Sequence, residues 1–168
     1  MTLEEKPMEI VPLHYAGFWK RLVAYLIDSI MISVASGILL IPFLAVVGLG
    51  VFSMHDSDLS YDSDTAIGLI IAMIAGYLVL LAGLAIAGWL YFALMESSSQ
   101  QGTLGKMALG IKVADMNGAR ISFGRATGRY FAKFISGLTL GIGYIMAGFT
   151  QQKQALHDII AGCLVINK

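Results

Sequence analysis

Arg21, Tyr25 and Asp28 stand four and three residues apart in Gly17-Phe-Trp-Lys-Arg-Leu-Val-Ala-Tyr-Leu-Ile-Asp28, at the mouth of a long apolar run. Seven residues of α-helix rise about 10.5 Å and drift only about 20° in rotation, so the three side chains fall on one stripe. A carboxylate deep in a membrane helix costs on the order of 2.5–3.5 kcal/mol on insertion scales, so Asp28 should face protein or water. Two chemistries fit the stripe. An intramembrane carboxylate can trade a proton for a cation, the step on which sodium and proton relays run. The same Arg21–Asp28 pair can instead fix helix packing, in which case truncating one partner strands a charge at roughly 3–5 kcal/mol.

Further candidates lie downstream. Asp158, in Leu156-His157-Asp158, can meet Arg21 only through tertiary folding, and His157 is of the residue type that titrates near neutrality. Glu96 closes the second apolar run and can pair with Lys106, Arg125 or Arg129. Arg120, Arg125, Arg129 and Lys133 form a basic cluster whose expected partners are anionic lipid headgroups, at about 1 kcal/mol per charge. Asp56, Asp58, Asp62 and Asp64 resemble spaced calcium ligands, but the EF-hand glycine and terminal glutamate are missing, so a solvated loop is expected. Gly102-Thr-Leu-Gly-Lys-Met is not a phosphate loop: Gln100 stands at the first glycine position and Met107 at the Ser/Thr position. HExxH, CxxC and GxSxG patterns are absent, and the one cysteine, Cys163, cannot build a cysteine metal cluster. No enzyme activity, metal or cofactor is expected.

The elements that must position these residues belong to a membrane. Hydrophobic content is 57% and charged content 13%, against roughly 45–50% and 25% in soluble domains. Net charge is zero, which disfavours nucleic acid as a partner. Residues 1–14 are mixed-charge, carry Pro7 and Pro12, and lack the core of a signal peptide; they read as a tail before a membrane domain at 15–168. Phe18, Trp19, Lys20 and Arg21 suit an interfacial anchor. Spans are expected at about 22–50 and 66–94. Pro42 is expected to kink or end the first, and Trp89 and Tyr91 suit the interface at the end of the second. In the second run Ala72 with Gly76, and Gly83 with Ala87, offer close-packing faces, candidate contacts in a homo-oligomer.

The third segment, about 130–150, is short and glycine-rich, and either crosses once or turns back as a re-entrant hairpin. In the re-entrant case Cys163 to Ile166 can pair with Gly110 to Ala114 as a two-stranded ribbon, with Met116-Asn-Gly-Ala as a turn. The fold expected is therefore an all-α integral membrane domain of two long helices, a shorter third segment and a polar loop. Lysine and arginine flank the first run and follow the second, while the acidic loop has none. That asymmetry puts the N-terminus and residues 96–133 in the cytoplasm.

Phe18-Trp-Lys-Arg21 with Asp28, Gly102-Thr-Leu-Gly-Lys106 through Gly110-Ile-Lys-Val113, and Gln154-Ala-Leu-His-Asp158-Ile-Ile-Ala-Gly162 occur in order across nearly the whole chain beyond residue 14. Together they resemble the RDD family of small bacterial membrane proteins, named for an arginine and two aspartates, which fall here on Arg21, Asp28 and Asp158. One departure is Cys163, where threonine is expected. The resemblance implies a protein of the bacterial cytoplasmic membrane, often described as a transporter. Some members resemble sodium/proton antiporters in activity and others look like accessory parts of larger assemblies. A small ion or solute transporter, coupled to a monovalent cation or proton through Asp28, is the first expectation; a non-transporting scaffold or accessory subunit is the alternative.

Overall fold

The structure, a computed structural model, describes residues 13–56 and 62–168. Asp58, the side chain of Asp56 and residues 1–12 of the tail lie outside the described residues. Two long helices dominate: α1 (Phe18–Asp56) and α2 (Ser63–Ser97). Their apolar stretches are long enough to cross a membrane, and no residue of the most apolar window of either is buried by the rest of the chain, as in lipid-facing helices. They run antiparallel, because Phe43 stacks on Tyr77 at 6.4 Å while Asp28, one end along, meets Tyr91. Gly76 is turned inward here: a Cβ on it would touch the Phe43 ring at 3.7 Å. Pro42 does not end α1, which stays helical through it. In an apolar setting the backbone has no better partners than its own helix, so a proline is tolerated. At 1.5 Å per residue, helices of 39 and 35 residues are longer than the roughly 30 Å of a hydrocarbon core.

Everything else gathers at the end where α1 begins and α2 finishes. After α2 come α3 (Leu104–Ala108), β1 (Ile111–Asp115), α4 (Phe123–Leu138), α5 (Ile142–Ile145) with a 3-10 turn to Gly148, α6 (Leu156–Ala161) and β2 (Cys163–Asn167). β1 and β2 pair antiparallel with Val113 opposite Val165, and Tyr15 bridges to Ile166 on the far side of β2. This ribbon fixes the topology. The segment before α1, the loop after α2 and the C-terminal strand all lie at one end, so the third segment turns back and does not run straight through.

The reversal has a local cause. α4 and the Ile142–Gly148 segment meet at 118°, at a corner where Leu140 and Gly141 both take left-handed backbone angles (φ 53° and 80°). Gly143 then packs so tightly on α4 that a Cβ would lie 2.8 Å from Ser136 Cα. The third segment, expected at about 130–150 as a single crossing or a re-entrant hairpin, is thus two pieces, the first starting at Phe123. α4 is also amphipathic in an inverted sense. It buries Ala126, Arg129, Ala132 and Ser136 and exposes Phe131, Phe134, Ile135 and Leu138. A helix that hides its charge and shows its aromatics is built for an apolar surround.

A buried charge network at the polar end

Asp28 sits ten residues into α1 and is fully buried, but Arg21 is not its partner. Its carboxylate accepts from Tyr91 Oη at 2.9 Å, Thr103 Oγ1 at 2.5 Å and the Gly105 backbone N–H at 2.8 Å. Three donors from α2 and the start of α3 therefore converge on it. The contact requires Gly105, since a Cβ there would overlap the Ala24 carbonyl oxygen and come within 3.0 Å of the Asp28 carboxyl carbon. Tyr25, expected on the same stripe, is 59% exposed and lies outside this bonding.

Arg21 instead spans to α6. Its Nη1 binds Asp158 Oδ2, and its Nε donates to the Ala16 carbonyl at 2.9 Å. Its Nη2 is buried and finds no acceptor among the described residues. Asp158 also receives Arg129 Nε at 2.8 Å, Arg129 Nη2 at 2.7 Å and the Ala155 backbone N–H at 3.1 Å. Arg129 turns its other edge to Glu96, with Nη1 at 2.8 and 2.7 Å from the two carboxylate oxygens. Lys106 Nζ closes on Glu96 Oε1, and Lys133 Nζ stands 3.9 Å from the same oxygen. The chain Arg21–Asp158–Arg129–Glu96–Lys106 thus joins α1, α6, α4, α2 and α3. Such pairs are the strong kind of hydrogen bond, because both partners are ionised.

The electrostatics follow from burial. Desolvation pushes the Asp158 carboxyl up, but Arg129 and Arg21 outweigh it and hold it well below the usual carboxylate range. Burial, then the charge of Arg129, pushes His157 down to about 3, so it is neutral at physiological pH. Its Nδ1 lies 3.2 Å from Ser136 Oγ. The titration near neutrality that its residue type allows is shifted away by that environment. Burial also lowers Lys106, against the pull of Glu96. Cys163 is a buried thiol pushed up by desolvation to about 11, a small packing residue where threonine was expected.

The expected surface cluster divides. Arg120 and Arg125 are exposed, but Arg129 is 2% exposed and Lys133 is half-buried, with its ammonium 4.1 Å above the Phe92 ring. Small residues at 126 and 132 bring α4 close to its neighbours, so its cations turn inward to Glu96. The sequence reading missed Tyr91 and Thr103 as donors to Asp28. The available signal was the Gly102-Thr-Leu-Gly spacing, which places a hydroxyl and a side-chain-free N–H at a helix start.

Beside the network lies a cavity of about 420 Å³ between α1, α2, α4 and α5. Its charged lining is Arg21, Lys106, Arg129, Lys133 and Asp28. Those four cations are matched from behind the wall by Glu96 and Asp158, and Asp28 is occupied by its three donors, which leaves an excess of one positive charge. Among the described residues no group of acidic, histidine or cysteine side chains is arranged to hold a metal.

Residues 15–162 match the profile of the RDD family. The chain belongs to the RDD family. It is 39% identical to the uncharacterized protein YxaI of Bacillus subtilis (strain 168) over 155 residues, 91% of this chain and 97% of that protein. It is 31% identical to the uncharacterized membrane protein YteJ of the same organism over 166 residues, 95% of this chain and 85% of that protein. No solved structure matches. This RDD protein is a membrane protein with transmembrane helices, and Arg21, Asp28 and Asp158, the residues that the sequence resemblance singles out, all lie at the polar end of the helix pair.

Proposed function

We propose that this RDD protein is a multi-pass protein of the bacterial cytoplasmic membrane that binds small anions at its cytoplasmic face and serves as their carrier or receptor. The observation that supports this reading most is the charge of the cavity. Arg21, Lys106, Arg129 and Lys133 carry four positive charges against three on Asp28, Glu96 and Asp158, and two of them keep donors to spare: Arg21 Nη2 has no acceptor among the described residues, and Lys133 reaches Glu96 only at 3.9 Å. A low-dielectric site with surplus cations attracts anions and repels sodium. Cytoplasmic orientation follows from Lys20, Arg21 and the basic residues of 106–133 at one end, against the acidic loop at the other. Exposed Arg120 and Arg125 add contact with anionic headgroups. Two spans alone enclose no path for a solute, so carriage on this reading needs copies to associate, with Gly83 and Ala87 as the open stripe on α2.

On this reading the Asp28 and Glu96–Asp158 networks are structural, as a scaffold subunit would also require. The test is ligand-induced stabilisation of the purified full chain. Inorganic phosphate or a small carboxylate should raise its Tm, sodium at equal ionic strength should not, and Lys133→Gln should lose the anion effect. Sodium-driven proton movement in proteoliposomes, abolished by Asp28→Asn at equal folded abundance, overturns the reading in favour of cation exchange.

A further inference from the structure

A second cavity, about 560 Å³, adjoins the first and shares Tyr25, Phe92, Lys133 and Tyr144 with it. Away from that junction its wall is Tyr130, Phe134, Gly137 and Leu138, apolar and aromatic. Its rim belongs to the outward face of α4 and the corner after it, where Phe134, Leu138 and Leu140 are 62%, 83% and 92% exposed. The two cavities therefore meet at these four residues, with the cations on the wall of the first and an apolar wall in the second toward the surface that the inverted α4 presents to lipid. Lys133 stands at the junction, held over Phe92 and Tyr130 at 4.1 and 5.8 Å. Phe92 lies five residues from the end of α2 and Tyr25 seven from the start of α1, so the junction is about 7–10 Å from the polar end along each axis.

We propose that this space is a binding site for one anionic phospholipid of the adjacent leaflet, its phosphate between Arg21 and Lys133 and one acyl chain along Tyr130, Phe134 and Leu138. The inference rests on the anion-site reading and names the anion's class. Charge complementarity selects the anionic headgroup, since the back wall offers cationic donors and Asp28 is already occupied. The apolar groove adds contact for a chain-bearing anion beyond what the cationic wall offers a small one, because an acyl chain covers those aromatic walls.

Delipidated full-length protein in detergent, titrated in a native mass spectrometer, decides it. The probes are dioleoyl phosphatidylglycerol, dioleoyl phosphatidylcholine and sn-glycerol 3-phosphate. One phosphatidylglycerol should bind at least about fivefold more tightly than phosphatidylcholine, and Lys133→Gln should erase that preference. Gly137→Leu places a side chain in open groove, where a Cβ meets nothing within 4 Å. It should weaken phosphatidylglycerol about tenfold and leave glycerol phosphate unchanged. Equal binding of phosphatidylglycerol and glycerol phosphate, insensitive to Gly137→Leu, overturns the lipid site and leaves the anion site standing. Failure of both anions to exceed phosphatidylcholine, with Lys133→Gln folded and without effect, overturns both.

Discussion

Arg21 binds Asp158, 137 residues away, and leaves Asp28, seven residues along its own helix, to neutral donors. The separation has mechanical sense. A guanidinium at the start of α1 reaches the N-terminal turn of α6 and ties the C-terminal ribbon to the first span. Asp28, deeper in the helix, faces α3 and the end of α2. Of the three residues that the resemblance singles out, two form one ion pair and the third is held by neutral donors.

Asp28 is expected to be a fold residue with graded tolerance. Asp28→Ala strands Tyr91 Oη, Thr103 Oγ1 and the Gly105 N–H, and should cost at least about 3 kcal/mol, since each buried unsatisfied group costs about 1–3. Asp28→Asn keeps one acceptor and a shape that Thr103 can answer by rotating its hydroxyl, so it should cost less than half as much. Thermal melts of both variants in detergent check the ranking.

Arg129 is the hub, and its replacement should be the most damaging in the network. Arg129→Met leaves Glu96 and Asp158 facing each other's charge with fewer counter-ions, a loss of about 3–5 kcal/mol. Arg129→Lys should recover little of it, because a single ammonium cannot fork to two carboxylates. The yield of monodisperse folded protein reads both.

Two glycines are fixed by contact. Gly105→Ala drives a methyl into the Ala24 carbonyl and should unseat α3 from α1; Gly143→Ala pushes α5 off Ser136 and Leu156. Each should destabilise by about 1–3 kcal/mol, whereas Gly137→Ala, with open space around it, should be neutral or better. Comparing the three melting temperatures tests the packing directly.

Acid should weaken the fold through His157 before it reaches the carboxylates. His157 is held neutral, with its folded-state value down at about 3 against an ordinary 6.5. Between those limits the unfolded chain binds a proton that the folded chain refuses, so stability falls as pH falls, by at most about 1.4 kcal/mol per unit. Above 6.5 the residue contributes no slope. Asp158, depressed by Arg129 and Arg21, adds stability that is present above the ordinary carboxylate range and lost only below it. Melting curves from pH 8 to pH 4 should show the slope in the native chain and a flatter line in His157→Asn.

The sequence by itself determined what depends on local composition. Runs without charge from 29 to 52 and 65 to 95 have one way to avoid water, so both spans were legible from hydropathy, and the motifs around Arg21, Lys106 and Asp158 carried the family. The β1–β2 ribbon was legible as one of two alternatives, and its register confirmed the turned-back one. Tertiary structure alone decided which charges meet. Helical spacing put Arg21 and Asp28 on one stripe, but a long guanidinium goes to the carboxylate that a folded loop carries to its tip. Likewise Arg129 and Lys133 read as surface cations until small residues on α4 let the helix press them against Glu96. Spans are set by the free energy of each segment in lipid; ion pairs are set by distances between segments, which no spacing along the chain contains.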